Sequence, residues 1–370
     1  MNTLLECKVS KPTPMGSYRP EDVTFLLKDL SDMFVEEEAE DCEETANFSQ
    51  VLPVEYEPSE KYMTLFYSIL EDTAAKIALA VGTVSETLLH QNGKRMVIAS
   101  LRSAGTATGV LVKRYLKMIH QIELPHYSIG TFTKGIGIDR NALIYMIQQY
   151  PGFHIQLLDS WTGKGAACKS VSRDILEFNA RYHTRLSGDL AVLVDTGHCT
   201  ATFGTREDFL IPSALLLAHV SGLISRVVIP DKYIGPRDFY GARFYKNWTE
   251  KDVSNLYVDT ISSKFSEIAS EARHQADLYR GNPHLKAVTW KGMHDIEEIQ
   301  QRFNIPHINL IKPGVAETTR LLLKRAPWKV LVKDMDNPSL KHILHLANDR
   351  SVPIDIYPNL TYACCGLIKP

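Results

Sequence analysis

The sequence is poor in the features that would commit it to a membrane, an oxidising compartment or a polyanionic partner. No apolar run approaches the roughly 20 residues that span a bilayer. Residues 1–11 carry Glu6 and no continuous apolar core, so no secretory signal is expected there. Cysteines are few and scattered, at positions 7, 42, 168, 199, 364 and 365, and no CxxC pair occurs. Neither a zinc site nor a disulfide framework is indicated, and a reducing cytoplasm fits best. Charge of one sign is also lacking. Forty-one basic residues against 43 acidic ones leave a formal net charge of −2, so any basic surface has to be local. Low-complexity tracts are absent.

What is present is an ordinary globular composition, 44% hydrophobic and 23% charged, over 370 residues. That length makes two domains the natural expectation. A polar lead over 1–20 gives way to a short helix expected after Pro20, with Glu21 and Asp22 in its first turn. An acidic run over 35–47 reads as a solvated segment. Residues 59–91 read as one long helix. Short apolar runs at 96–99, 153–158 and 190–194, and a further one at 227–229, then alternate with helical stretches, which predicts a doubly wound α/β sheet. Residues 250–280 read as helix, broken at Gly281-Asn282-Pro283. From 311 onward the pattern is a helix after Lys312-Pro313-Gly314, a strand at 328–332, a helix over 338–349, a strand at 352–357 and a final short helix, a compact α/β/α layer. The divisions expected are an N-terminal extension packing on the first domain (1–58), the sheet domain (59–250), a helical connector (251–283) and a C-terminal domain (284–370).

Two loops follow strands and open helices, where unpaired N–H groups and a positive dipole end collect anions. Thr162-Gly163-Lys164-Gly165-Ala166 offers two glycines for close backbone approach, a hydroxyl and a cation. A Walker-type loop is a poor match, because Gly165 stands where a Ser or Thr should follow the lysine. The loop over 100–109 supplies Ser100, Arg102, Ser103, Gly105 and Thr106, which suits a second phosphate or a pyrophosphate. Arg206 and Asp208, two apart, share a face on an extended chain and are candidates for an acceptor.

A strand, an acidic residue and then T-G-K-G before a helix resembles the diphosphate-sugar loop of type I phosphoribosyltransferases, and the 100–109 loop resembles their pyrophosphate loop. More narrowly, Gly16-Ser17-Tyr18, the stretch over 22–28, the two loops, the segment over 204–213 and the segment over 221–226 resemble the StiP-type family found beside bacterial tellurite-resistance genes. The resemblance covers roughly 16–250. It implies a type I phosphoribosyltransferase-like parallel sheet domain and an enzyme that binds 5-phosphoribosyl diphosphate with Mg²⁺ and transfers the sugar to an acceptor. Thr162, Gly163, Lys164, Gly165 and Ala166 would hold the 5′-phosphate. Asp159 and Arg102 would be catalytic, with Asp159 on the ribose or its metal. Ser100, Arg102, Ser103, Gly105 and Thr106 would hold the diphosphate.

The C-terminal layer resembles the ribosomal-protein L7Ae and pelota-type RNA-binding domain, with Gly314 and Glu317 matching its Gly-x-x-Glu helix start. The resemblance implies that structured RNA meets Lys312, Gly314, Glu317, Arg320 and Lys324. Arg320 and Lys324 are four apart and so share a helix face. Two alternatives of other classes stay open. Only Asp159 stands where ordinary phosphoribosyltransferases have two adjacent acidic residues, which favours a non-catalytic RNA-binding regulator that senses a phosphosugar. Members of the StiP-type family also carry the label cysteine protease. For that chemistry a thiolate needs a basic partner. His198 and Cys199, being adjacent, point to opposite faces of an extended chain. Cys168 lies early in the helix after the T-G-K-G loop, with His126 or His183 as distant partners.

Overall fold

The computed structural model describes residues 4–33, 57–132, 137–225 and 233–369. The acidic run over 35–47 and the apolar run over 227–229 lie outside the described residues, as does Arg226.

A six-stranded parallel sheet organises the chain. Its strands are β1 (Thr24–Leu26), β2 (Met96–Leu101), β3 (His126–Ile129), β4 (His154–Trp161), β5 (Leu190–Val194) and β6 (Phe203–Thr205). They lie in the order β1-β3-β2-β4-β5-β6, and every pairing is parallel. Parallel sheets are covered on both faces, so their strands read as continuous apolar runs, and β2 is buried at all six positions. Its alternation sorts the core. Met96 and Ile98 enter one cluster with helices α1 (Glu60–Asn92) and α2 (Ala104–His120). Val97, Ala99 and Leu101 enter the other, with α3 (Arg140–Gln149) and α4 (Ala166–Tyr182).

α1 buries Phe66, Leu70, Ala74, Ile77, Val81, Val84 and Leu88, a three-or-four spacing that makes one helical face. It stops at Gly93, whose φ of 66° suits glycine and whose N–H reaches back to the Leu89 carbonyl. The segment expected to be one helix over 250–280 is two, α5 (Ser254–Ser262) and α6 (Phe265–Gly281). Gly82 of α1 lets α6 pack closely, since a Cβ there would stand 2.6 Å from the Ala272 Cβ.

The C-terminal region has a four-stranded sheet, β7 (Ile311–Pro313), β8 (Lys329–Val332), β9 (Ile354–Ile356) and β10 (Cys364–Leu367), in the order β7-β10-β8-β9. Helices α7 (Lys291–Arg302), α8 (Gly314–Lys324) and α9 (Lys341–Asp349) accompany it. Val315, Leu322 and Leu323 of α8 join the same buried cluster as Phe209, Leu210, Leu215 and α1, so apolar packing runs unbroken from the large sheet into this region.

Two elements differ from expectation. No helix follows Pro20. Residues 20–22 form a turn, and Thr24–Leu26 pairs with His126–Ile129, as a β-branched and aromatic run favours. The last segment is strand β10 and not a helix, because its residues, buried throughout, sit between β7 and β8. Among the described residues, no helix is long and apolar enough to cross a membrane.

Candidate functional site

The carboxyl ends of β2, β4 and β5 open onto the loops that carry the sequence-level candidates. The 162–165 turn is built as expected for an anion loop. Gly163 and Gly165 take positive φ (51° and 81°), and the Gly165 N–H closes the turn on the Thr162 carbonyl at 2.8 Å. Its groups, however, are engaged by the C-terminal region. The Lys164 ammonium donates to the Ile308 and Ile311 carbonyls at 2.9 and 3.1 Å. The Tyr362 hydroxyl donates to the Gly163 carbonyl at 3.0 Å. A Cβ on Gly163 would stand 3.1 Å from Glu317 Oε1. Burial pulls the Lys164 pKa down, against the pull of Glu317, and pushes the Glu317 carboxyl up, against Lys164.

Asp208 closes the same seam from beyond β6. Its carboxylate accepts from the Val315 N–H at 3.0 Å and the Ala363 N–H at 2.8 Å, capping the start of α8. Burial pushes it up to about 6, against those two N–H groups. Asp208 is therefore a clasp to the C-terminal region, and Gly314 and Glu317 face this seam, Gly314 lying against Asp208 itself. Arg206 does not share the role of Asp208. It donates to Asp195 at 3.2 Å and to the Leu285 and Ala287 carbonyls, both at 2.8 Å. Lys312 and Arg320 are half-buried, and Lys324 is exposed.

The 100–109 loop is tied within the large sheet domain. Arg102, 9% exposed, donates to the carbonyls of Ser221 and Ile224 and, at 2.7 Å, of Ser225. The Thr106 hydroxyl meets the Ser128 hydroxyl at 2.7 Å. Ser100 meets His126 Nε2 at 2.8 Å, while His126 Nδ1 meets the Asp22 carbonyl at 2.7 Å. This Ser–His pair is sealed in the core, and burial pushes His126 down to about 3. Ser103 heads α2, and its hydroxyl makes no cap bond. Gly105 lies against Asp159, where a Cβ would stand 3.2 Å from Oδ1. Asp159 is half-buried, and desolvation pushes it up to about 7, opposed by the Ser160 N–H. Among the described residues, no group of three or more His, Cys, Asp or Glu side chains could hold a metal ion.

The two thiols come together instead. Cys168, in the first turn of α4, and Cys199, in the loop after β5, line one cleft of 530 Å³ with Lys169, Asp189 and Trp290. The Cys199 sulfur lies against the glycines that lead into α4 and follow β5. A Cβ on Gly165 would stand 2.7 Å from it, and one on Gly197 2.8 Å. The Trp290 ring packs on Gly165 as well, with the Lys169 ammonium 4.8 Å from that ring's centre. Burial pushes the Cys199 thiol up to about 12, with Asp195 adding to the rise. The Thr162 hydroxyl, Lys169 and Arg206 oppose it. Cys168 is raised by burial and then by Cys199 and nearby carboxylates, with nothing lowering it. Asp195 accepts the Cys199 N–H at 2.7 Å, and its carboxyl is raised by burial, against that N–H, Arg206 and the Thr162 hydroxyl.

The histidines stand apart from the thiols. His198 faces a second cavity, beside Arg206. His183 caps the far end of α4, about 22 Å along the helix from Cys168 at 1.5 Å per residue. Among the described residues, no hydrogen bond joins a histidine ring to either thiol. Sequence reasoning passed over Asp195, Trp290 and Tyr362. An acidic residue directly after an apolar strand, in Asp195-Thr196-Gly197, is the signal that could have found the first.

Comparison with known proteins corrects the functional reading. Residues 16–262 match the family model described as tellurite-like stress resistance cysteine protease StiP, and residues 290–370 match the PELOTA RNA binding domain. The chain is similar to a protein of Acinetobacter baylyi named cysteine protease StiP, with 27% identity over 356 residues, covering 92% of this chain and 90% of the relative. No solved structure matches. Phosphoribosyl transfer from 5-phosphoribosyl diphosphate, a glycosyltransferase activity, is overturned by these matches, whose descriptions point to a hydrolase. The physical reason lies in the two loops: the T-G-K-G cradle is bonded to the C-terminal region, and Arg102 is bonded to backbone carbonyls.

Proposed function

The chain belongs to the family of tellurite-like stress resistance cysteine proteases StiP, and from that premise we propose that it is a thiol-dependent peptidase whose nucleophile is Cys199. The observation that carries the choice is the sulfur's place at the start of α4, against Gly165, within reach of the Thr162 hydroxyl. A helix N-terminus favours a thiolate, and so do a hydroxyl donor and cations. Cys168 has the helix start but lacks the opposing donors.

In the resting site the thiol is protonated, because desolvation outweighs those donors. The Thr162 hydroxyl lies close enough to both Cys199 and Asp195 to hold each pKa down, and we assign it as the relay between them. The thiol proton passes to the Thr162 oxygen as the Thr162 proton passes to the Asp195 carboxylate, whose raised pKa makes it a stronger base than an ordinary aspartate. The thiolate attacks the peptide carbonyl, and a thioester forms as the C–N bond breaks. The departing amine takes the proton back from Asp195, and water hydrolyses the thioester. Here Asp195, through Thr162, stands where thiol peptidases ordinarily use histidine.

The test is turnover of a fluorogenic peptide library, with labelling by iodoacetamide. Cys199→Ala abolishes turnover, and Cys7→Ser, remote from the cleft, leaves it unchanged. Thr162→Val lowers kcat, and Thr162→Ser restores it. Loss in Cys168→Ala with turnover kept in Cys199→Ala moves the nucleophile to Cys168, and absence of peptide hydrolysis in the wild type sinks the peptidase reading.

A second reading, RNA binding by the C-terminal region, is supported by the match of residues 290–370 to a pelota domain. Since Gly314 and Glu317 face the seam, contact with phosphates falls to the exposed Lys324 and Arg325. In a gel shift of the full chain with structured RNA, replacing both by Ala flattens the salt dependence by about two units. An unchanged slope removes that face from the reading.

A further inference from the structure

A cavity of 710 Å³ takes His198 into its lining, next in sequence to the Cys199 of the thiol cleft, and shares no lining residue with that cleft. Its walls come from three parts of the chain: His198, Phe203 and Arg206 at the end of the large sheet, Tyr279 on α6, and His284, Lys291 and His294 on the connector and α7. Three imidazoles, an ammonium and a guanidinium line it, and no carboxylate does. Arg206 is immobilised. Each of its three guanidinium nitrogens donates, to Asp195 and to the Leu285 and Ala287 carbonyls, and its guanidinium lies 4.4 Å from the Phe203 ring centre. The connector is pinned too, because the Thr289 and Trp290 N–H groups both donate to the His198 carbonyl, at 3.1 and 3.0 Å. Tyr279 and Phe203 stand 5.1 Å apart, ring to ring, and form an aromatic wall.

Lys291, by contrast, is exposed, and no carboxylate lies within ion-pair distance of it among the described residues. With Arg206 engaged by Asp195 and two carbonyls, the Lys291 ammonium and the imidazoles are the donors that this concave site presents, and with no carboxylate lining it they select an anion. A flat carboxylate can use few of these donors, whereas a phosphate has three oxygens to offer them. An aromatic wall beside the cations adds a stacking surface for a base.

We propose that this cavity is a binding site for a phosphate ester carrying a planar ring, the chemistry of a nucleotide, with Lys291, His284 and His294 on the phosphate and Tyr279 beside the ring. The ligand is either a free mononucleotide or a nucleotide unit of an RNA strand. The site does not depend on the peptidase reading, because none of these side chains lines the thiol cleft.

Calorimetric titration of the full-length chain at fixed ionic strength, with inorganic phosphate, AMP and a short oligouridylate, tests it. AMP binds saturably and about tenfold or more tighter than phosphate. Lys291→Ala combined with His284→Ala, both at exposed positions, weakens AMP at least tenfold, and Tyr279→Leu removes the advantage of AMP over phosphate. Tighter binding of the oligomer than of AMP, lost in the same variants, identifies RNA as the source, and the reverse order identifies a free nucleotide. Absence of saturable binding by all three probes, or AMP affinity unchanged in the double variant, overturns the proposal. Lys324→Ala with Arg325→Ala serves as the control, because those residues lie outside this cavity and their loss leaves AMP binding intact.

Discussion

Two segments leave neighbouring strands of one sheet, 102–106 after β2 and 162–165 after β4, and each leads into a helix. Both carry glycine, a hydroxyl and a cation. They differ in who satisfies those groups. The first loop is tied to its own domain, with Arg102 on the carbonyls of 221–225 and Thr106 on Ser128. The second is tied across to the C-terminal region, with Lys164 on Ile308 and Ile311 and Gly163 on Tyr362. A cation and a glycine in a strand-to-helix loop mark a place where backbone groups need partners. They do not say whether the partner is a phosphate or the chain itself.

The comparison breaks most sharply at Arg102. Arg102→Ala leaves buried carbonyls without their donor and opens a void, a loss of about 3–5 kcal/mol. Urea unfolding measures it. A loss below about 1 kcal/mol would mean that the side chain is free for a ligand after all. Lys164→Met, which keeps the apolar stem, costs less, about 1.5–3 kcal/mol, since it removes one charged donor from two carbonyls. Its effect is regional. Hydrogen exchange quickens at 308–317 and 162–166 and stays unchanged in β2, whereas uniform quickening would deny the seam a separate identity.

Asp159 lies between the two loops and titrates for neither. Its folded pKa, about 7, stands above the unfolded value near 3.9, so the folded chain holds the proton more tightly. The stability this contributes is present below pH 4 and is lost as pH rises through 7. Asp159→Asn therefore stabilises the chain above pH 7, on the order of 1–2 kcal/mol after allowance for its partial exposure, and the gain fades toward pH 4. Thermal melts at pH 5 and 8 check the sign, and a gain larger at pH 5 reverses the assignment.

These loops also show how much was legible. The apolar runs at 96–99, 153–158 and 190–194 locate three strands of the sheet, because a strand buried on both faces has nothing to interrupt its apolar run. β1, β3 and β6 escaped. They are three or four residues long and include the polar residues Thr24, His126, Ser128 and Thr205, and His126 and Ser128 find their partners far along the chain, at Ser100, Asp22 and Thr106. Cys168 and Cys199 were both visible, and so was the helix start before Cys168. Their shared cleft was not, since it depends on the β4–β5 pairing and on Trp290, 91 positions beyond Cys199. The seam was the least legible part, because Lys164 meets carbonyls 144 and 147 residues away.

The smallest expected effect sharpens the comparison within the first loop. Ser103 is the type of residue that caps a helix, and it stands directly before α2. A capping serine takes an extended backbone so that its oxygen reaches the N–H two or three residues on. Ser103 has φ −102° and ψ −48°, inside the helical region, and its hydroxyl makes no such bond. Ser103→Ala therefore changes stability by less than about 0.5 kcal/mol, below the roughly 1 kcal/mol typical of a lost cap. Thr106→Val is the paired measurement. It removes the 2.7 Å contact with Ser128 in a fully buried place and costs about 1–3 kcal/mol. If Ser103→Ala proves the costlier of the two, the loop's half-buried hydroxyl has a partner that its own domain does not supply, and the two loops are alike after all.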